Sequence, residues 1–201
     1  MSDLDRAVRA IREGELVVYP TETVYGLGAD ATDPAAIERV FAAKRRDREK
    51  PISMAVPDVA TAERYTRLTD RERAFAREFL PGPVTVVVER RDPQEDGGVP
   101  DVLVAGREKV GVRIPDHELA LDLLERVGPI TTTSANVSGR ASARRAAAVD
   151  EEIREAAAVV LDGGETGGTG STVVDVERGE IHRRGPTADE IEAWLSREEA
   201  P

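Results

Sequence analysis

Apolar residues recur along the chain at two spacings, one typical of a helix face and one typical of a buried strand. Residues 3–13 carry apolar side chains three or four positions apart, which predicts an amphipathic helix after a cap at Asp3. Residues 16–19 form a short apolar run that Pro20 stops, which predicts a strand. The same spacings predict two helices that begin at Asp33-Pro34 and at Thr69 or Asp70. They predict three more that cover 119–127, most of 143–157 and 188–196. They predict strands at 52–56, 84–88, 102–104, 110–114, 130–133 and 159–161.

Two stretches rich in glycine or proline, 91–100 and 163–171, interrupt this alternation and are predicted to be loops. Residues 172–176 and 180–182 are apolar runs joined by a short turn, which predicts an antiparallel hairpin. Alternating helices and strands favour an α/β or α+β fold with an open sheet, and the hairpin makes that sheet mixed. Neither an internal repeat nor a linker is visible, so we expect a single domain over residues 1–201.

The chain is strongly acidic, and its cations are almost all arginine. Its 201 residues carry a formal net charge of -11, and of the 28 basic residues only Lys44, Lys50 and Lys109 are lysines. Together with 3% aromatic residues, this composition suggests a halophilic protein. An acidic surface normally opposes binding to nucleic acid. At molar salt, however, the Debye length is only about 3 Å, so local patches matter more than net charge.

The composition also indicates a compartment. The chain has no cysteine, no apolar run of membrane-spanning length, and an N-terminus that mixes acids with arginines. We therefore expect a cytoplasmic protein with no disulfide, no cysteine-ligated metal and no membrane contact.

None of the common catalytic templates occurs in the sequence. His117 and His182 are the only histidines and have no metal-ligand spacing, so no metal ligands can be identified. There is no P-loop, and Gly26-Leu27-Gly28 lacks the third glycine of a dinucleotide fingerprint. What remains is a series of loops rich in hydroxyl groups, amides and cations. Such groups suit phosphoryl or nucleotidyl transfer, where catalysis is mostly positioning and charge neutralisation.

The loop at residues 20–26 is the first candidate, because it follows a strand where open sheets bind ligands. Thr21 and Thr23 can present hydroxyls to a small polar ligand, and Tyr25 can stack on it. An ordinary turn capped by its own hydroxyls explains the same residues equally well.

The run at residues 44–50 holds five cations in seven positions, just past a predicted helix. Two of the three lysines fall in it, and lysine is a compact charge suited to phosphate. A solvated basic turn that favours the helix C-terminus is the simpler explanation.

Three further segments carry polar groups next to strands. Arg113 lies inside an apolar strand and points to a cleft or to solvent, with Lys109 four residues earlier. Residues 131–139 combine hydroxyls, a carboxamide and a glycine, which suits anion binding or a capped turn. Gly170-Ser171-Thr172 repeats the pattern of a glycine-rich loop entering a strand, and Arg183-Arg184 adds a paired cation.

In chain order, these segments resemble the YrdC family. Its pattern runs PTETVYGLG, K-x-R followed by a proline, PGPxT, V-x-V-R-x-P, SAN-x-SG, STVVD and a terminal L-R-x-G. This chain has matching residues at 20–28, 44–51, 81–85, 110–115, 134–139, 171–175 and 181–185. The resemblance covers about residues 5–186, and seven motifs in order are highly specific. Departures are Asp47 in place of a proline, Ser142-Ala143-Arg144 in place of Ser-Pro-Thr, and His182-Arg183 in the last motif.

The resemblance implies a twisted open mixed sheet around a deep basic cavity, in the short form without a further C-terminal domain. It implies synthesis of threonylcarbamoyl-adenylate: threonine and bicarbonate give a carbamate, which attacks the α-phosphorus of ATP and releases pyrophosphate. Mg²⁺ would accompany ATP, with no organic cofactor. The product would pass to a separate threonylcarbamoyl transferase complex that modifies the tRNA adenosine beside the anticodon. Weak tRNA binding by the chain itself is compatible with this role.

The resemblance also assigns residues to the site. The catalytic groups would be Lys44, Arg46, Ser134 and Asn136. Threonine would contact Thr23, Tyr25, Lys50, Arg113 and Thr133. The nucleotide would contact Lys44, Arg46, Lys109, Ser134, Asn136, Ser142, Ser171 and Arg184.

Two other functions compete with this one. A non-catalytic protein that binds tRNA or double-stranded RNA would also use the cations of residues 44–50, although seven aromatic residues in all offer few stacking platforms. A carbamoyl-transfer module cut from a hydrogenase-maturation type protein would share the domain, but such proteins carry zinc-finger cysteines that this chain lacks.

Overall fold

The computed structural model describes residues 2–198, in which nine strands form one mixed sheet with α-helices packed against it. The strands are β1 (Leu16–Tyr19), β2 (Gly26–Gly28), β3 (Ser53–Ala55), β4 (Val84–Glu89), β5 (Lys109–Arg113), β6 (Ile130–Ser134), β7 (Ala157–Val160), β8 (Thr172–Asp175) and β9 (Glu180–Arg183). The helices are α1 (Asp3–Arg12), α2 (Pro34–Lys44), α3 (Val59–Tyr65), α4 (Asp70–Phe79), α5 (Asp101–Val104), α6 (Glu118–Val127), α7 (Glu151–Ala156) and α8 (Ala188–Glu198).

The strand order is β7-β1-β2-β6-β3-β5-β4-β8-β9, which confirms the expected mixed sheet. Three pairs are parallel, β1 with β7, β3 with β5 and β4 with β8, and the other five are antiparallel. Strand β6 pairs with both β2 and β3 and so joins the two halves of the sheet. The predicted hairpin is confirmed as β8 and β9.

Helices cover the sheet on both faces, as strand β1 illustrates. All four of its residues are buried. Val17 packs in a cluster with apolar residues of α1 and α6, whereas Val18 packs in the larger cluster with α2. Because successive side chains of a strand point to opposite faces, these clusters lie on the two sides of the sheet. No helix within the described residues is long and apolar enough to cross a membrane.

The helix starts follow from local capping chemistry. Asp33 accepts a hydrogen bond from the backbone of Ala35 at the start of α2, as its place before a proline predicts. Thr69 and Glu72 form a reciprocal capping box at α4. At α1 the cap is Ser2 rather than the predicted Asp3, because Ser2 forms a capping box with Asp5.

Two predicted elements differ in the structure, and two observed elements were not predicted. Residues 102–104 are the short helix α5 rather than a strand, because Pro100 precedes it and Ala105 ends it in a left-handed conformation. The predicted helix over 143–157 is reduced to a short 3₁₀ turn and α7, since residues 157–160 pair with β1 instead. Strand β2 and helix α3 were not predicted, because both are short.

Candidate active site

A cavity of about 560 Å³ opens over the middle of the sheet, and its walls combine cations with hydroxyl groups. The cations are Arg46, Arg107, Lys109, Arg113 and Arg183. The hydroxyls come from Thr21, Thr23, Ser53, Thr85, Thr132, Thr133, Ser134, Ser142 and Ser171. No Asp or Glu is among the described residues that line it. The expected basic cavity is therefore present in a chain whose net charge is -11.

One wall of the cavity is a network of threonines tied to an arginine. The Thr21 hydroxyl donates to the carbonyl of Val24 at 2.7 Å, so at 2.9 Å it accepts from the Thr23 hydroxyl. Nη2 of Arg113 donates at 2.7 Å to Thr23 and also at 2.7 Å to a carboxylate oxygen of Glu22. Arg113 is only 6% exposed. Its guanidinium thus faces the cavity and not bulk solvent, which decides between the two orientations that the sequence left open.

Lys44 lies behind the cavity wall and fixes a loop. Its ammonium donates to the backbone carbonyls of Ser134 and, at 2.6 Å, of Asn136. The side chain is 1% exposed and does not line the cavity. Burial, with a smaller contribution from nearby Arg46, lowers the pKa of Lys44 to about 8. The interior charge therefore orders the backbone that presents Ser134.

Arg46 and Lys50, from the same basic run, have different positions. Arg46 lines the cavity, and its guanidinium donates to the carbonyls of Lys50 at 3.1 Å and Pro51 at 2.8 Å. Lys50 is exposed and is not among the lining residues, although it was assigned to threonine. The basic run is thus partly site and partly surface.

A second part of the lining comes from β5, β8 and β9. Lys109 lines the cavity and forms a 2.6 Å ion pair with Asp175, which is almost fully buried. The hydroxyl of Ser171 lies 2.9 Å from that of Thr85 and accepts from Nη2 of Arg183 at 2.9 Å. This wall therefore offers an arginine and a lysine above two hydroxyls, a set of groups suited to phosphate.

Asn136 is buried and serves the loop that Lys44 holds. Its amide nitrogen donates to the carbonyls of Val137 and Arg140, both at 2.9 Å. Its Oδ1 atom is buried with no partner among the described residues. Asn136 does not line the cavity, whereas Thr133, Ser134 and Ser142 do.

Tyr25 anchors the glycine-rich segment 162–170, which we call the strap. Its hydroxyl lies 2.8 Å from the carbonyl of Gly164 and donates to it. Farther along the strap, the N–H of Gly168 donates to the carbonyl of Thr23 at 2.6 Å. Tyr25 is fully buried and does not line the cavity, so it supports the wall from behind.

Arg183, not Arg184, occupies the cavity. Arg184 is exposed and pairs with Asp189 and Glu192 of α8. Arg183 ends β9 and Arg184 follows it, so a motif match that is ambiguous by one position selects a surface side chain. Thr85 and Thr132 lie within segments that the sequence analysis singled out, at 81–85 and 131–139, but were not assigned to a ligand. Ser53 and Arg107 were not predicted, because an isolated hydroxyl and a loop arginine carry no recognisable pattern.

Two glycines of the cavity are required by close approach. A Cβ at Gly26 would lie 3.0 Å from the ring of Tyr19, which crosses the strand beneath it. A Cβ at Gly111 would overlap the hydroxyl of Ser53 and would lie 3.0 Å from Thr85 Cγ2. Any side chain at either position would displace a wall of the cavity.

The donor set does not form a metal site by itself. Within residues 2–198, no group of three or more His, Asp or Glu side chains is placed to hold a metal ion. A divalent cation prefers carboxylate and phosphate oxygens. Since the described lining lacks carboxylates, a magnesium ion here would have to be held mainly by its phosphate ligand.

In sequence, the chain is similar to one protein family and to individual named relatives. A family model described as Telomere recombination, for Sua5, YciO and YrdC proteins, matches residues 9–185. A threonylcarbamoyl-AMP synthase of Pyrococcus abyssi is 40% identical over 83% of this chain and 48% of its own length. A putative threonylcarbamoyl-AMP synthase of Methanocaldococcus jannaschii is 32% identical over 86% of this chain and 80% of its own. This chain therefore spans about half of the former relative and most of the latter.

Structural similarity is equally extensive. A crystal structure of P. abyssi Sua5 complexed with L-threonine is 37% identical and superposes with a TM-score of 0.84. The alignment covers 92% of this chain and 55% of that one. The fold thus has a counterpart in a protein whose crystal structure is complexed with L-threonine.

Proposed function

The chain belongs to the family of Sua5, YciO and YrdC proteins, and from that premise we propose that it is a threonylcarbamoyl-AMP synthase. The amino group of L-threonine bonds to the carbon of bicarbonate, and water leaves to give a carbamate. A carbamate oxygen then attacks the α-phosphorus of ATP, and pyrophosphate leaves. The enzyme is thereby a nucleotidyltransferase. The observation that carries the proposal is a cavity with five cations and without carboxylates among its described lining. Such a cavity can bring together a carboxylate, a carbamate and a triphosphate, which otherwise repel one another.

In this proposal, the wall formed by Thr23 and Arg113 receives threonine. The Arg113 guanidinium binds the substrate carboxylate, because a planar fork matches a carboxylate in two hydrogen bonds. Thr133 lies along the same part of the lining and adds a hydroxyl. Tyr25 contributes indirectly by holding the strap.

The lining from β5, β8 and β9 receives the nucleotide. Lys109, Ser171 and Arg183 can hold phosphate oxygens there. Arg46 adds a guanidinium whose Nη1 has no hydrogen-bond partner among the described residues. Charge on the leaving pyrophosphate grows as the carbamate attacks, so cations fixed in advance stabilise the transition state more than the ground state. No nucleophilic side chain is needed, because the carbamate itself attacks.

The loop at 134–136 carries the Ser134 hydroxyl into the cavity. Lys44 holds the carbonyls of Ser134 and Asn136, so this hydroxyl keeps one position. We propose that the Ser134 hydroxyl, together with Ser142, contacts the reacting phosphate region. Mg²⁺ bound to ATP would supply charge neutralisation on the triphosphate, and Lys109, Ser171 and Arg183 would orient the complex.

The proposed reaction is tested by incubating the protein with ATP, bicarbonate and L-threonine and measuring pyrophosphate. We expect pyrophosphate release that requires both threonine and bicarbonate, with threonylcarbamoyl-AMP identified by mass spectrometry. Arg113→Ala should weaken threonine binding far more than ATP binding. Arg126→Ala is the matched control, because Arg126 pairs with Asp5 on the surface. Pyrophosphate release that is independent of threonine would contradict the proposal.

The RNA-binding alternative receives no support, because the relatives are synthases and one is solved with L-threonine. We further propose that the protein acts in the cytoplasm and delivers its product to a threonylcarbamoyl transferase complex that modifies tRNA. The absence of cysteine supports a reducing compartment. The acidic, arginine-rich composition supports adaptation to high salt.

A further inference from the structure

Three buried polar atoms behind the threonine wall lack hydrogen-bond partners among the described residues. They are the hydroxyl of Tyr19, Oε2 of Glu22 and Nε of Arg113. A buried polar group without a partner destabilises the folded state, so native proteins contain few of them. Three in one place, at a wall of the cavity, point to a function that uses them.

Tyr19 is placed where it can act on this wall. It is fully buried on β1, and its cross-strand neighbour is Gly26 of the cavity lining. A Cβ at Gly26 would lie 3.0 Å from the Tyr19 ring and 3.3 Å from its hydroxyl oxygen. The hydroxyl therefore sits directly behind the wall. The packing of the ring would be served equally by phenylalanine, so packing does not explain the hydroxyl.

The charges of the Arg113–Glu22 ion pair also act on the hydroxyl of Tyr19. Burial raises the pKa of Tyr19, which keeps the hydroxyl protonated and able to donate. Arg113 and Glu22 are close enough to act on the same pKa in opposite directions, and the Thr132 hydroxyl approaches without a hydrogen bond of normal geometry. Oε2 of Glu22 is a buried acceptor without a partner among the described residues, and the charge of Glu22 acts on Tyr19.

Substrate binding would weaken the hydrogen bond that the Glu22 carboxylate accepts from Arg113. In the structure, the Arg113 guanidinium is shared between Glu22 and Thr23. When Arg113 turns toward the carboxylate of an incoming substrate, its hydrogen bond to Glu22 weakens. The partly buried carboxylate of Glu22 then loses part of the positive charge that balances it. Such a charge is costly in a poorly solvated site unless another donor replaces the guanidinium.

We propose that Tyr19 is a positioning residue, whose hydroxyl donates to Oε2 of Glu22 when Arg113 engages the carboxylate of the amino-acid substrate. This inference rests on the proposed function, since it assumes that Arg113 binds that carboxylate. The hydroxyl touches no substrate atom. It acts through Glu22 by lowering the cost of releasing Arg113, and a charge-assisted O–H···O⁻ bond is strong enough to matter.

The test is Tyr19→Phe, with threonine affinity measured by calorimetry and stability by thermal unfolding. We expect threonine to bind roughly tenfold more weakly, as loss of a hydrogen bond to a charged group predicts. We expect the unfolding midpoint to be unchanged or higher, because an unpartnered hydroxyl is removed. Tyr65→Phe is the matched control, since Tyr65 of α3 is partly buried away from the cavity. Unchanged threonine affinity in Tyr19→Phe would overturn the inference.

A double-mutant cycle separates this role from a general structural one. If Tyr19 acts through Glu22, Tyr19→Phe should have little further effect on threonine binding in a Glu22→Gln background. If the losses of threonine affinity in the two single variants add up in the double variant, the inference is overturned. This holds whether or not Tyr19→Phe also lowers the unfolding midpoint. Wild-type protein that binds no threonine would instead refute the proposed function, so the two failures are distinguishable.

Discussion

Lysine is rare in this chain, and at two of its three positions the structure gives a reason for it. The Lys44 ammonium fits between two backbone carbonyls, where the broad fork of an arginine would not. Lys109 meets a buried aspartate, Asp175, with a compact charge. Lys50 is exposed, and nothing in the structure explains its identity. Residue type thus follows geometry where the side chain is enclosed.

Removing the Lys44 ammonium should disorder the loop that it holds. We expect Lys44→Ala to lower the rate of threonine-dependent pyrophosphate release by roughly 10²- to 10³-fold, because the Ser134 hydroxyl would lose its fixed position. Arg45→Ala is the control, because Arg45 is exposed and pairs with Glu152. A near-wild-type rate in Lys44→Ala would show that the loop keeps its shape without the lysine.

The lowered pKa of Lys44 predicts how stability depends on pH. The group has a pKa of about 8 when folded and 10.5 in its reference state, so between these values the unfolded chain binds more protons. This difference lowers the free energy of unfolding by about 3 kcal/mol below pH 8, and the loss vanishes as pH rises to 10.5. The unfolding free energy of wild type relative to Lys44→Met should therefore rise across this window in denaturant titrations. A difference that is flat with pH would contradict a buried, charged lysine.

At the scale of elements, the cavity depends on strands that approach one another unusually closely. Gly111 of β5 lies between Ser53 of β3 and Thr85 of β4 with no space for a Cβ. The same holds in β2, where Gly26 and Gly28 lie against Tyr19. Because these glycines have no side chain, short hydroxyl side chains of the neighbouring strands can form the base of the cavity.

Gly111→Ala tests this close approach. We expect a loss of about 1–3 kcal/mol in unfolding free energy, because overpacking forces neighbours to shift. Adding Ser53→Ala should restore part of that loss, since it removes the overlapping hydroxyl. Stability would be measured by urea unfolding of the three variants. If Ser53→Ala gives no rescue, the strain lies elsewhere, for example at Thr85.

Sequence patterns predicted most elements because those elements are amphipathic or apolar over several residues. They failed at 102–104, where a short β-branched run folds as α5 between a proline and a left-handed residue. At the site, motif order identified Thr23, Arg46, Lys109, Arg113 and Ser171, all beside the cavity. It could not separate a side chain that lines the cavity from one that supports it, as with Lys44, Tyr25 and Asn136. That distinction depends on tertiary packing, which no local spacing encodes.

For the whole molecule, charge is divided between interior and surface. The chain is acidic overall, yet the cavity is basic, and nearly all arginine–carboxylate pairs lie on the surface. Exposed pairs contribute little individually and are screened by salt. Repulsion among the excess acids is screened as well, so salt should favour the compact state on balance.

Salt dependence is therefore measurable on the intact protein. We expect the thermal unfolding midpoint to rise as KCl is increased from low to molar concentration, because the net charge of -11 is screened. Scanning fluorimetry at constant pH would record it, with a neutral osmolyte as the control for general solvent effects. A midpoint that falls with KCl would count against adaptation to high salt.

The strand order has a consequence for how the protein comes to be made. Cavity residues extend from Thr21 to Arg183, and the residues of β1 pair with residues of β7 that lie just over 140 positions later in the chain. A chain growing on the ribosome therefore cannot form a complete binding site until β9 has emerged. Non-local pairing of this kind slows folding and makes it cooperative. A nascent chain should thus lack a complete cavity until Arg183 has left the ribosome.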